Sequence, residues 1–373
     1  MVESFWLAEP AEPLRLRRPT GEPQVEIVGG GVTGCSCALA LARAGVRVRL
    51  HEARTIAGGA SGRNGGFALR GGAMPYEEAR ATLGPERARS LWALSERGLR
   101  EIQALAGDAY RPTGSLRLAS DRAELDELEI EFSALAEDGF AVEWLERLPP
   151  QLARFAGGIR HPSDASIQPA RWVRRLAQHA ADAGADLRES SRVASVAELT
   201  ASTVVVATDG YTHGLVPEVD AAIKPIRNQV VVTEPLPELL YALPHYARHG
   251  YDYWQQTADR RLVVGGRRDD DEAENTDEEA LTPAIQERLE AFVVELVGSL
   301  PEITHRWAGI FGSSPDGRPL VGPVPGHEGL WVAAGYSGHG NVLGFVCGEL
   351  VAAAILGATP PELELFDPAR VLG

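Results

Sequence analysis

The chain of 373 residues is poor in cysteine and contains no long hydrophobic run. Its three cysteines, Cys35, Cys37 and Cys347, are too few for a disulfide framework. The Cys35/Cys37 spacing also lacks the second pair of ligands that a zinc site requires, so we expect buried free thiols and no metal. No apolar stretch is long enough to cross a bilayer, and we therefore predict no transmembrane segment.

Clustered positive charge is also missing. The formal net charge is −16, whereas a nucleic-acid partner requires basic patches that contact phosphates, so we expect no such partner. Much of the acidity is local, because residues 269–279 contain eight acidic side chains. We predict that this run is a solvated loop before a helix that begins at Thr282 and Pro283.

The start of the chain lacks the features of a secretory signal. Residues 1–13 have no basic start, apolar core or small-residue cleavage site. We expect a cytoplasmic, soluble protein in which residues 1–23 form an N-terminal extension. A composition of 44% hydrophobic and 24% charged residues is typical of globular proteins, and the length favours two domains.

The most informative segment has the order of a βαβ unit that binds a dinucleotide. An apolar strand is predicted at residues 25–28, followed by Gly29, Gly31 and Gly34 at G-x-G-x-x-G spacing and an Ala/Leu-rich helix. These glycines permit a tight turn, close approach of the backbone to a pyrophosphate, and close packing of helix on strand. Glu52 ends the second strand, where a carboxylate accepts hydrogen bonds from the ribose hydroxyls.

A second glycine-rich loop, GGASGRNGG at residues 58–66, follows this unit directly. It is too rich in glycine for a helix and too polar for a buried strand, so we interpret it as another backbone-rich loop beside the cofactor. A domain that binds NAD would normally continue into its next helix here. The βαβ unit alone leaves FAD and NAD open.

Several motifs in one order resemble the D-amino-acid-oxidase-like (DAO) superfamily of FAD-dependent oxidoreductases, and most closely its gamma-glutamylputrescine oxidoreductase and glycine/sarcosine oxidase-like branch. Besides the two loops, they are ASIQPARWVRRLAQHAADAGADL, VVVATDGYT, KPIRNQVVVTEP, YDYWQQTADRRLVVGG, PDGRPLVGP and GYSGHGNVLGFVCGELVA. The resemblance implies an α/β (α+β mixed) fold. A Rossmann-type, glutathione-reductase-like FAD-binding domain would carry an inserted substrate domain built on an antiparallel sheet. Residues 229–233 and 262–266 suit strands of that sheet, and an apolar strand is predicted at residues 330–334 before the closing loop and a helix at residues 342–356.

The resemblance also implies domain boundaries and cofactor contacts. The FAD-binding domain would comprise residues 24–72, 152–215 and 318–373, and the substrate-binding domain residues 73–151 and 216–317. The matched cofactor positions are Gly29, Gly31, Val32, Thr33, Gly34, Glu52, Ala53, Ser61, Arg63, Asn64, Gly65, Gly66, Val193, Ala207, Thr208, Gly210, Gly335, Ser337, Gly338, Gly340 and Asn341. Among them, Val193 matches a strand position beside adenine. Because Gly309 and Asn64 stand where covalent relatives carry a linking cysteine or histidine, FAD is expected to be bound non-covalently.

The implied reaction is transfer of hydride from the carbon that bears the amine to flavin N5, followed by hydrolysis of the imine. The candidate residues of the catalytic pocket are Tyr253, Trp254, Tyr336 and His339. The pocket would bind a small amine or amino acid, with polyamine derivatives as the leading candidate. O2 or another acceptor would reoxidise FAD, and Val263 at the position of an oxygen-activating lysine leaves oxidase and dehydrogenase both open.

Three arginines, Arg63, Arg227 and Arg267, are candidates for binding a substrate carboxylate, although we expect Arg227 and Arg267 at the surface. Asn228 replaces a glycine that is usual in relatives.

Three other functions stay open on the sequence. An FAD-dependent dehydrogenase of a 2-hydroxy acid or polyol would need a base such as His51 or His339 near the flavin. The missing repeat of βαβ units counts against a pyridine-nucleotide enzyme, and a non-catalytic flavin-binding module is compatible with the same fold.

Overall fold

A computed structural model of the chain describes residues 3–16, 18–269 and 271–373. The strands are β1 (Val25–Val28), β2 (Val48–His51), β3 (Phe67–Ala68), β4 (Tyr110–Arg111), β5 (Ser115–Ala119), β6 (Glu143–Trp144), β7 (Gly157–His161), β8 (Ala165–Ile167), β9 (Asp186–Arg188), β10 (Thr203–Val206), β11 (Lys224–Pro235), β12 (His245–Ala247), β13 (Asp252–Gln256), β14 (Arg261–Gly266), β15 (Ile303–Ser313), β16 (Leu320–Pro323) and β17 (Leu330–Ala334). The helices are α1 (Phe5–Ala8), α2 (Val32–Arg43), α3 (Tyr76–Leu83), α4 (Pro85–Ala106), α5 (Arg122–Glu137), α6 (Pro169–Asp182), α7 (Pro217–Ala222), α8 (Pro283–Val297), α9 (Gly340–Ile355) and α10 (Ala369–Leu372).

A six-stranded sheet in the order β16-β17-β10-β1-β2-β9 forms the first half of the fold. Its strands are parallel except for the antiparallel pair β16 and β17. Strand β1 is buried along its whole length, as expected for a central parallel strand covered on both faces. Helix α2 packs against α6 and α9. The loops after β1, β10 and β17 all leave from the carboxyl ends of parallel strands, which is where α/β sheets bind their ligands.

A mostly antiparallel sheet of eight strands, in the order β15-β11-β14-β13-β12-β5-β7-β6, forms the second half. The predicted strands at residues 229–233 and 262–266 are confirmed as parts of β11 and β14. Helix α8 packs against β11 and β14, where Trp254 and Leu262 belong to a second hydrophobic core. The predicted mixed fold with an antiparallel second sheet is confirmed.

Strand β7 departs from the predicted domain boundaries. It lies within residues 152–215, which were predicted to belong to the FAD-binding domain, but it pairs with β5 and β6 of the eight-stranded sheet. The boundaries themselves stay a prediction. Helices long and apolar enough to cross a membrane are not found in the described ranges.

The acidic run is not simply a solvated loop. Glu274 is 1% exposed and its carboxylate pairs with Arg227, with both oxygens 2.9 Å from guanidinium nitrogens. The expected surface position of Arg227 is therefore wrong, because this carboxylate compensates its charge in the interior. Glu279 accepts hydrogen bonds from Arg54 at 2.8 Å and from Tyr211 at 2.6 Å. Asp270 lies outside the described residues.

Candidate functional site

At three glycines of the first glycine-rich loop a side chain would come too close to neighbouring atoms. Gly29 has φ +115°, and a Cβ there would overlap the carbonyl oxygen of Ala207 at the end of β10. A Cβ at Gly34 would overlap the carbonyl oxygen of Gly29, so α2 can lie against the loop only with glycine at this position. Gly31 is the N-cap of α2, and a Cβ there would lie 2.9 Å from Ser61 Oγ. At the start of α2 the Val32 N–H donates to Ser61 Oγ at 3.0 Å, and the backbone of this turn forms a cradle suited to phosphate.

Glu52 lies beside this cradle at the end of β2. Its two carboxylate oxygens accept hydrogen bonds from the N–H groups of Gly30 and Arg54, each at 2.7 Å. Each oxygen can accept a further hydrogen bond, which leaves capacity for ribose hydroxyls. Ala53 follows in the same turn. Val193 is half-buried in the loop after β9, so its predicted place in a strand is wrong.

A cavity of about 540 Å³ runs from the start of α2 to the eight-stranded sheet. Its volume lies within the range of sites for small molecules and cofactors. The predicted site residues that line it are Gly31, Val32, Thr33, Ser61, Arg63, Asn64, Gly65, Ala207, Tyr253, Tyr336, Ser337, Gly338, His339, Gly340 and Asn341. The structure therefore brings the two glycine-rich loops and the C-terminal loop together around one space.

The other predicted cofactor positions support these loops. Gly66 has φ +78° and donates its N–H to Asn64 Oδ1 at 2.8 Å. The Thr208 hydroxyl lies 3.0 Å from that of Thr212. A Cβ at Gly210 would lie 2.8 Å from the carbonyl carbon of Phe311.

Asp209, which the sequence prediction missed, ties the loops together. Its carboxylate accepts hydrogen bonds from the N–H groups of Gly312 at 2.9 Å and Gly335 at 2.8 Å, and burial raises its pKa. Its position three residues after the end of the buried strand β10 was the available signal.

Two indole groups and one side-chain amide donate hydrogen bonds to backbone carbonyls of the second glycine-rich loop. Trp6 donates to the carbonyl of Asn64 and Trp307 to the carbonyl of Arg63, both at 2.7 Å, and Gln255 donates to that of Gly66 at 2.9 Å. Ser4 also donates from its hydroxyl to the carbonyl of Gly62 at 2.6 Å. The predicted N-terminal extension thus supplies part of the support for the cofactor loop.

Replacing Trp6 with phenylalanine removes one of these hydrogen bonds while it retains most of the packing. A lost hydrogen bond costs about 1 kcal/mol, so we expect the dissociation constant of FAD to rise roughly fivefold. Fluorescence titration of the apoprotein with FAD measures this constant. Trp144→Phe, on the edge strand β6, is the matched control and should leave it unchanged. An unchanged constant in Trp6→Phe would show that the N-terminal segment does not set the loop.

The C-terminal loop meets the second loop through an asparagine pair. The side-chain amides of Asn64 and Asn341 lie 3.1 Å apart, and Asn341 also donates to the carbonyl of Phe67 at 2.7 Å. His339 is the N-cap residue of α9 and lines the cavity. Burial lowers the pKa of His339, partly offset by a backbone hydrogen bond at Ser337, so its imidazole is neutral at pH 7.

The three aromatic residues predicted for the catalytic pocket differ in where they lie. Tyr253 lines the cavity and packs edge-on against Phe67 with ring centroids 5.7 Å apart. Tyr336 touches the cavity, but its hydroxyl accepts a hydrogen bond from Thr33 at 3.0 Å and joins the C-terminal loop to α2. Trp254 is fully buried on the other face of the sheet, stacked on His245, so its predicted place in the pocket is wrong.

The arginines of the cavity differ from the predicted set. Arg63 lines it and lies 3.6 Å from Glu279, whereas Arg267 pairs with Asp252 and Glu295 at 3.0 Å. The sequence prediction missed several polar groups that line the cavity, among them Arg70, Arg117, His161 and Tyr246. An arginine within the apolar strand SLRLA was the available signal for Arg117. Asn228 also lines the cavity, and its Oδ1 has no hydrogen-bond partner within the described residues.

Glu77 is near Glu131 and Arg117, and its ionisation makes the stability of the fold depend on pH. Burial and the neighbouring Glu131 raise its pKa from 4.5 to about 7. The folded state therefore holds a proton that the unfolded state has released, and stability falls as the pH rises from about 4.5 to 7. We expect Glu77→Gln to stabilise the protein at pH 8 by about 1–2 kcal/mol, discounted for partial exposure, with no gain near pH 4.

Urea unfolding at pH 4 and pH 8 measures this difference. The exposed neighbour Glu78 gives the matched control Glu78→Gln, which should show no such change with pH. A gain in Glu77→Gln that is the same at both pH values would contradict the assignment.

The comparisons with known proteins agree with this geometry. The profile of the DAO family, described as "FAD dependent oxidoreductase", matches residues 24–354. The chain is 30% identical over 380 residues to a probable oxidoreductase OrdL of Rhizobium meliloti, covering 93% of this chain and 86% of that protein. It is also 30% identical over 380 residues to gamma-glutamylputrescine oxidoreductase of Escherichia coli, covering 91% and 84%.

Among solved structures, glycine oxidase from Geobacillus kaustophilus matches with a TM-score of 0.77 and 25% identity, covering 95% of this chain and all of that one. The glycine cradle, Glu52 and the adjoining cavity fit the pyrophosphate, ribose and remainder of FAD. The chain therefore belongs to the DAO family of FAD-dependent oxidoreductases, whose named relatives act on amines and amino acids.

Proposed function

We propose that the protein oxidises the carbon–nitrogen bond of a small amine or amino acid, with a gamma-glutamyl-polyamine-like compound as the leading candidate. The observation that carries the proposal is the single cavity that joins the dinucleotide cradle to Tyr253, Tyr246 and Arg117 on the second sheet. FAD bound there supplies the two-electron acceptor for hydride from the carbon that bears the nitrogen, and water hydrolyses the resulting imine to a carbonyl compound and ammonia or a smaller amine.

The side chains of the cavity orient the amine and exclude water. Tyr253 and Phe311 provide apolar walls beside Arg63. An aromatic wall suits a cation or a recently deprotonated amine. The neutral imidazole of His339 can accept a hydrogen bond from the amine. Positioning of the substrate is the main contribution that the chain must make, since the cofactor carries the electron chemistry.

The N-terminal end of α9 has a second part in this proposal. Its backbone N–H groups begin at Gly340, next to the cavity. A helix N-terminus stabilises negative charge, so α9 would favour the anionic reduced cofactor in the way an oxyanion hole does.

Anaerobic mixing of the FAD-loaded protein with amines, amino acids and 2-hydroxy acids tests the proposal. We expect amines or amino acids to bleach the flavin absorbance. Readmission of air then separates the two acceptors, because fast recovery indicates an oxidase and slow recovery a dehydrogenase. Bleaching by hydroxy acids alone would overturn the proposal. Val263, at the position of the oxygen-activating lysine, is fully buried in β14 and leaves the acceptor open.

Oxidation of a 2-hydroxy acid is the second candidate function, and the position of His339 on the cavity wall supports it. Hydroxyl oxidation needs a base for the O–H proton, and His339 is a neutral histidine on the cavity wall. His51 does not serve, because its ring nitrogens contact Glu26 at 3.1 Å and Ser191 at 2.9 Å at the end of β2. The proposal includes a cytoplasmic location and non-covalent binding of FAD, because Gly309 and Asn64 have no side chain that could form the covalent linkage.

A further inference from the structure

The end of the cavity over β5 and β7 contains buried hydrogen-bond donors that lack acceptors. His161 is 5% exposed and Arg117 is 6% exposed, and both line the cavity. His161 Nε2 and Arg117 Nε have no hydrogen-bond partner among the residues that the structure describes. An unsatisfied buried donor costs about 1–3 kcal/mol unless a ligand supplies the acceptor.

The tautomer of His161 follows from its neighbour. Arg70 lies 3.2 Å from His161 Nδ1, and a guanidinium can only donate, so Nδ1 is the acceptor. Burial lowers the pKa of His161 well below its usual value, and the ring is neutral. The remaining proton is therefore on Nε2, which makes this nitrogen a donor.

Two carboxylates that line this end of the cavity, those of Asp164 and Glu131, are already engaged. Asp164 accepts hydrogen bonds from the Ser115 hydroxyl at 2.6 Å and the Arg70 N–H at 2.8 Å. Glu131 pairs with Arg117, and Arg70 pairs with Glu96 at 2.8 Å. His161 Nε2 and Arg117 Nε are therefore left without an acceptor, and the ligand group that complements these two donors is an oxygen acceptor.

The register of the sheet gives the distance of this group from the cofactor loop. Tyr253 packs on that loop, because a Cβ at Gly65 would lie 2.7 Å from its ring. Tyr253 is opposite Tyr246, and Tyr246 is opposite Arg117, on three adjacent strands. Two inter-strand spacings place Arg117 about 10 Å from Tyr253. A substrate that reaches both positions is several atoms longer than glycine.

We infer that Arg117, His161 and Tyr246 form a distal subsite that binds a carboxylate or carbonyl oxygen at the far end of an elongated amine substrate. This inference rests on the proposed function, which identifies the amine as the reacting end of the substrate. The distal subsite would bind the opposite end of the same molecule. The subsite would favour amines whose distal group is an acid or amide over unsubstituted alkylamines of the same length.

Calorimetric titration of the FAD-loaded protein with straight-chain carboxylates, from acetate to octanoate, tests the subsite without any oxidation. Alcohols of the same lengths are the comparison ligands. We expect the longer carboxylates to bind roughly 10–100-fold more tightly than the alcohols, the range for a charge-assisted hydrogen bond. This preference should be lost in the double variant Arg117→Gln/Glu131→Gln, which removes both buried charges together.

Arg160→Gln is the matched control, since Arg160 neighbours His161 on β7 but pairs with Glu143 on the exposed side. It should retain the preference. Tyr246→Phe removes a single hydroxyl and is the second test if the double variant does not fold; it should weaken carboxylate binding about fivefold. No carboxylate preference in the native protein, or an undiminished one in both variants, would overturn the inference. Failure of the proposed function appears separately, as the absence of amine oxidation with carboxylate binding intact.

Discussion

Gly34→Ala is expected to weaken FAD binding by roughly 100-fold, which corresponds to about 3 kcal/mol of overpacking. The new methyl group would overlap the carbonyl oxygen of Gly29, a backbone atom that cannot rotate away. Relief requires α2 to move off the loop, and this displaces the N–H groups that begin at Val32. Equilibrium dialysis of FAD against the apoprotein measures the loss.

Arg43→Ala is the control for this substitution, because Arg43 is exposed at the other end of the same helix. Its effect on FAD affinity should be negligible. Native FAD affinity in Gly34→Ala, with the fold intact by circular dichroism, would mean that the cradle is not the pyrophosphate site.

Arg227→Met is expected to destabilise the fold by about 3–5 kcal/mol, because it leaves the carboxylate of Glu274 buried without its charge partner. Gln229 and Thr282 also donate to this carboxylate but are uncharged. The double variant Arg227→Met/Glu274→Met removes both charges and should recover most of the stability. Denaturant unfolding of the wild type and the two variants gives the comparison.

Equal stability of the single and double variants would show that the charge of Arg227 does not compensate that of Glu274. Arg268→Met serves as the control in the same segment, since its guanidinium lies over Tyr251 and Phe311 at the cavity and not in the buried pair. It should change the unfolding free energy by much less than Arg227→Met.

The cofactor half of the site could be predicted because its constraints are local. The glycine spacing, the strand at residues 25–28 and the acidic end of β2 lie within one short segment, and the structure confirms the strand and the helix that follow from them. The strand at residues 330–334 and the helix of the closing motif are confirmed for the same reason. Period-2 and helical patterns are visible without knowledge of tertiary contacts.

The substrate half depends on contacts that are distant in sequence. Arg227 meets Glu274 47 residues later, and Arg70 meets His161 91 residues later, so neither pairing leaves a local pattern. The case of Tyr253 and Trp254 is different, because adjacent residues of a strand point to opposite faces. Only one of them can face the pocket, and the alternation already argued against naming both.

Oxidation at the carbon–nitrogen bond is tested by the nitrogen balance of a single anaerobic turnover. The FAD-loaded protein is mixed with an excess of an amine that bleaches it, and the ammonia or smaller amine released is compared with the FAD reduced. We expect one released nitrogen compound and one carbonyl product for each FAD reduced. Reduction of FAD with no release of nitrogen would contradict oxidation at the carbon–nitrogen bond.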